Sequence, residues 1–68
     1  MTVTEAVRIL HPEPPDDDDS AHEILRCVLV RAGIEFGDPD KDKTIACIRV
    51  MAAPWSELLA ACEEVATQ

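Results

Sequence analysis

Tyrosine is absent from this chain, and Phe36 and Trp55 are its only aromatic residues. Single-stranded nucleic acid is held largely by stacking on aromatic rings, so the chain has no base-stacking platform. Positive charge is also scarce. Six Lys and Arg stand against 14 Asp and Glu, for a net charge of -8. A phosphate backbone needs cations opposite it, so direct nucleic-acid binding is disfavoured. No Cys-x-x-Cys pair occurs, and Cys27, Cys47 and Cys62 are an odd number. That argues against a secreted disulfide scaffold and for a reducing compartment. Each thiol lies in an apolar run, where it behaves as a small hydrophobe. No apolar stretch approaches the ~20 residues of a membrane span. Glu5 and Arg8 interrupt the N-terminal apolar residues, so a signal peptide is not expected. The expectation is a soluble, cytoplasmic chain with no membrane contact.

What is present is acid. Asp16, Asp17, Asp18 and Asp19 stand together behind His11-Pro12-Glu13-Pro14-Pro15. Four adjacent carboxylates repel one another and resist burial. They must face water, a cation or a basic partner. The whole chain has 68 residues, enough for one domain with little core. Chains of this size are usually marginal without a staple, a metal or a second subunit.

The fold expected is α+β, a small β-α-β-β-α domain over residues 1–68, with two helices on a short, mainly antiparallel sheet. Val3, Val7 and Ile9 alternate with Thr4, Ala6 and Arg8, which suits a strand. The same stretch fits a short helix through Val3, Ala6, Val7 and Leu10, but eight residues make a weak one. Residues 11–19 form a Pro- and Asp-rich acidic loop. Ser20 and Glu23 make a capping box for a first helix, with Gly33 placed just past its end. Its apolar stripe is Ala21, Ile24, Leu25, Val28, Leu29 and Ala32, and Val30 is the odd apolar residue on the polar side. A short strand over Ile34 to Phe36 leads to a turn from Gly37 to Lys43. Thr44 to Met51 reads as a strand that is apolar on both faces apart from Arg49, and so covered twice. Pro54 opens a last helix with Trp55, Leu58, Leu59, Cys62, Val65 and Ala66 on one stripe.

None of the chemical motifs is complete. Asp38-x-Asp40-x-Asp42 matches the start of a calcium EF-hand loop, but Lys43 stands where glycine is required and Arg49 where glutamate is required. His11, His22 and Cys27 match no standard zinc spacing. Ser20 and Ser56 are the only serines, and both suit helix starts. Cys27 with His22 lacks an orienting third group. No enzyme activity, cofactor or metal is expected, with a metal-binding protein as the remote alternative.

The remaining class is binding. Three acidic groups stand out: Glu13 with Asp16, Asp17, Asp18, Asp19 and Glu23; Glu35 with Asp38, Asp40 and Asp42; and Glu57 with Glu63 and Glu64. If the fold gathers two of them, the surface imitates a nucleic-acid backbone and masks a basic, nucleic-acid-binding surface on a larger protein. Phage-encoded inhibitors of host defence, anti-CRISPR proteins among them, are often of this size and charge. The likeness is one of type, with no residue motif behind it. The alternative is a homo-oligomeric interaction module, such as a homodimer, in which Val30, Trp55 and the two-sided apolar segment do the work. The small-residue surface at Ala60 and Ala61 is a further approach for a second helix.

Overall fold

The computed structural model of the chain describes residues 1–12, 20–37 and 40–67. Among them there are four helices and no strand: α1 (Val3–Leu10), α2 (Ala21–Glu35), α3 (Lys41–Ala52) and α4 (Trp55–Ala66). The α+β expectation, with its antiparallel sheet, is therefore overturned. The acidic run Asp16 to Asp19, with Glu13 and Asp38, lies outside the described residues.

The first element is a helix with a capped N-terminus. Thr2 Oγ1 accepts the Glu5 backbone N–H at 3.1 Å, and the Thr2 hydroxyl donates to the Glu5 carboxylate at 3.2 Å. Thr2-x-x-Glu5 is thus a capping pair of the same type as Ser20-x-x-Glu23. Its buried residues are Val3, Ala6, Val7 and Leu10, the helical stripe rather than the alternating one. A helix of eight residues is marginal alone, so packing of this stripe is what holds it.

α2 starts at the expected N-cap, where Ser20 Oγ accepts the Glu23 N–H at 3.3 Å. It does not stop at Gly33 but runs to Glu35, which absorbs the expected Ile34–Phe36 strand. The left-handed residue is Gly37, with φ 92°, a conformation in which a Cβ would be strained. Both the turn and the second strand expected next are also helix. Asp40 caps α3, its carboxylate accepting the Asp42 N–H at 2.9 Å, while the Thr44 hydroxyl donates to the Asp40 carbonyl at 3.2 Å. β-branched Thr44, Ile45, Ile48 and Val50 gave this segment its strand character. In the fold it buries Ala46, Cys47 and Val50, at i, i+1 and i+4. Pro54 stands at the N-cap of α4, one position before the helix proper.

α1 packs against α3 and α4, and α2 packs against the same two helices. α1 and α2 touch only slightly, and α3 and α4 barely meet. The helices therefore follow the cyclic order α1, α3, α2, α4. The α2–α3 side lies opposite the α1–α4 side. The Cα radius of gyration is 10.8 Å, close to the ~11 Å expected of a packed chain this long.

Candidate functional site

The core is made of small side chains. Of 15 buried residues among those described, eleven are Ala, Val or Cys, and only Leu10, Ile24, Leu25 and Leu58 are larger. Neither aromatic residue and neither methionine is among them. Burial pushes the Cys62 thiol up to about 11, because a thiolate there would lose its hydration. No disulfide joins Cys27, Cys47 and Cys62.

Many of the larger apolar side chains lie outside. Leu29, Val30, Ile34, Phe36, Ile45, Ile48, Met51 and Trp55 are all exposed, from 41% for Leu29 to 75% for Ile34. All but Trp55 belong to α2, its C-cap or α3. On α2 the outward residues Cys27, Val30 and Ile34 fall at i, i+3 and i+7. On α3 the outward residues Ile45, Ile48 and Ala52 repeat that spacing. This 3–4 spacing is the one that lets a helix seat its side chains between those of another. Each of these helices thus has two apolar faces, one in the core and one in water. The two-sided pattern of residues 44–51 was legible from sequence, but its period belongs to a helix.

Charge divides along the same line. Arg26 and Arg31 on α2 and Lys41, Lys43 and Arg49 on α3 are five of the six cations of the chain. They are mixed with Glu23, Glu35 and Asp42. α4 has Glu57, Glu63 and Glu64 and no cation. Glu64 accepts the Thr4 hydroxyl at 3.1 Å, which ties it to the start of α1, beside Glu5. Glu35 and Lys43 approach to 3.9 Å, a partly exposed pair of little energetic weight.

The described members of the expected partner-binding carboxylates are spread over three helices. Glu23 is exposed at the start of α2, Asp40 and Asp42 at the start of α3, and Glu57 and Glu64 along α4. Asp40 also serves as a cap. Residues 41–52 are helix, so the partial EF-hand match forms no calcium loop. Val30 and Trp55 are both exposed, at 56% and 62%. For Trp55, which also fits the apolar stripe of the last helix, this settles the choice between core and surface in favour of the surface.

Two shallow clefts mark the described surface. One, of about 90 Å³, is lined by His11, Pro12, Cys27 and Arg31. The other, of about 180 Å³, is lined by Val3, Arg49, Ala52, Ala53, Pro54 and Glu57. Both fall below the ~300 Å³ of a small-molecule site. His11 Nδ1 is buried without a hydrogen-bond partner among the described residues. Among those residues no group of three or more His, Cys, Asp or Glu is placed to hold a metal. No described helix is long and apolar enough to cross a membrane. Comparison with known protein families, curated proteins and solved structures finds no match. The side chains themselves are the basis for a functional reading.

Proposed function

We propose that this chain is a small, non-enzymatic interaction module that holds a partner protein on the solvent-facing apolar side of α2 and α3. The observation behind this is the inversion of size. Eleven of the 15 buried residues among those described are Ala, Val or Cys, while Ile34, Phe36, Ile45, Ile48 and Met51 stand in water. A monomer seldom keeps so many large apolar side chains exposed on two neighbouring helices, and large exposed apolar patches mark interaction surfaces. The radius of gyration speaks against a loosened fold as the cause of the exposure.

A second reading keeps the masking of a basic surface. It draws on the three carboxylates of α4, unaccompanied by any cation on that helix, and on the net charge of -8. In that reading charge steers the encounter, and salt weakens the complex.

One experiment separates the two. Tagged wild-type protein, an Ile45→Glu/Ile48→Glu variant and a Glu57→Gln/Glu63→Gln/Glu64→Gln variant are mixed with cell lysate at low and at high salt. Bound proteins, endogenous copies of this chain included, are quantified by mass spectrometry. The apolar reading expects capture that survives high salt and is lost with Ile45→Glu/Ile48→Glu. Capture lost with the glutamine variant or at high salt, and kept by the isoleucine variant, overturns it in favour of masking.

A further inference from the structure

We propose that Cys27 is a site of reversible thiol modification, taking a small anionic disulfide of the glutathione disulfide class at the cleft between the end of α1 and α2. Of the three free cysteines, Cys47 and Cys62 are fully buried and Cys27 is exposed. Buried thiols are inert, whereas reactive ones are accessible and have cationic or basic neighbours. Cys27 has such neighbours. His11, the C-cap of α1, lines one cleft of about 90 Å³ together with Pro12, Cys27 and Arg31. A nucleophile, a base and a cation thus meet at one place. The cleft is too small to enclose a tripeptide. It admits the reacting sulfurs, with the rest of the reagent lying over its rim.

His11 supplies an observation independent of the thiol. Its Nδ1 is buried and has no hydrogen-bond partner among the described residues. Buried polar atoms are nearly always paired, and leaving one unpaired is costly, so an orphan at a cleft calls for a reason. Backbone geometry does not provide one. The main-chain N–H of His11 already donates to the Val7 carbonyl at 2.8 Å, without help from the ring. An imidazole with a nitrogen left over can take the proton of a thiol in the same cleft, which is how a cysteine nucleophile is commonly activated. His22 is nearer to Cys27 in sequence, but His11 is the histidine that the fold places with it.

Charge selects the reagent. The chain has 14 Asp and Glu against six Lys and Arg, yet no carboxylate is among the described residues that line this cleft. Arg31 stands at i+4 from Cys27 on α2, the spacing that makes two helix side chains neighbours. Its planar guanidinium matches a carboxylate, which favours a disulfide that carries carboxylates. The step is an exchange. The Cys27 thiol gives its proton to His11, and its sulfur bonds to one sulfur of the disulfide. The bond between the two disulfide sulfurs breaks, and the departing thiolate takes the proton from His11. One thiol and one disulfide give one mixed disulfide and one thiol, so no further oxidant enters. A second thiol reverses the reaction.

The test treats the reduced full chain, native or unfolded in urea, with glutathione disulfide or with uncharged hydroxyethyl disulfide. Peptide mass spectrometry locates the modified cysteine and follows its rate. In the native chain Cys27 alone should react, at least about tenfold faster than in the unfolded chain. His11→Gln should remove that advantage for both reagents. Circular dichroism of this variant should stay helical, because the bond to Val7 is made by the main chain. His11→Asn takes its place if glutamine disturbs the fold. Arg31→Gln should slow glutathione disulfide by about fivefold and leave the uncharged disulfide unchanged. Cys27 reacting no faster in the native chain than in the unfolded one overturns the proposal. So does a full rate in a folded histidine variant, or first reaction at Cys47 or Cys62. Arg31→Gln slowing both reagents alike, or neither, overturns the choice of an anionic disulfide. Partner capture through Ile45 and Ile48 is a separate property, and none of these outcomes decides it.

Discussion

Two isoleucines offer the sharpest test of which faces are buried. Ile24 on α2 is fully buried, whereas Ile48 on α3 is 51% exposed. Truncation to alanine removes three carbon groups in each case, with a transfer cost of about 2.4 kcal/mol when all are buried. At Ile24 the cavity adds to this, so Ile24→Ala should cost about 2–5 kcal/mol. At Ile48 only about half the transfer cost applies, no cavity forms, and alanine regains a few tenths through helix propensity. The expectation there is below about 1 kcal/mol. Total stability for a chain of this length is of the order of 3–10 kcal/mol, so Ile24→Ala removes a large share of it. Urea titration followed by far-ultraviolet circular dichroism is the appropriate assay. Trp55 is too exposed for its fluorescence to report unfolding well. At about 2 µM the two variants should differ by at least ~1 kcal/mol. An Ile48→Ala cost equal to that of Ile24→Ala at low concentration would refute the orientation of α3, and with it the interface.

Two further outcomes follow from local chemistry. The Cys62 thiol has an ordinary value of 9.0, and burial raises it to about 11 in the fold. The folded state thus favours the protonated thiol, so this contribution is complete below pH 9 and is lost as pH rises from 9 to 11. The wild-type chain should lose up to about 2–3 kcal/mol more than Cys62→Ala over that window, measured by urea titration at each pH. At the start of α3, Asp40→Ala should cost about 1 kcal/mol by removing the cap on the Asp42 N–H, and Asp40→Asn only a few tenths, as thermal melts would read.

Much of the chain's physics could be read before its shape. Net charge, the lack of a base-stacking platform and the capping of α2 by Ser20 depend only on residue identity and local spacing. For α1 the Val3, Ala6, Val7, Leu10 stripe was visible, but eight residues also fit an alternating pattern, and the strand was preferred; the Thr2-x-x-Glu5 cap was missed. Only packing against α3 and α4 decides between the two. The segment from Thr44 to Met51 shows the limit most plainly. Apolar residues at both odd and even positions satisfy a two-sided strand as well as a two-faced helix, and β-branched content tilts the reading to the strand. The ordering of large and small is likewise a tertiary matter. An isoleucine at position 24 and one at position 48 are the same residue with the same transfer energy. It is the cyclic arrangement of four helices, turning Ala46, Cys47 and Val50 inward, that leaves Ile45 and Ile48 in water and makes a surface of them.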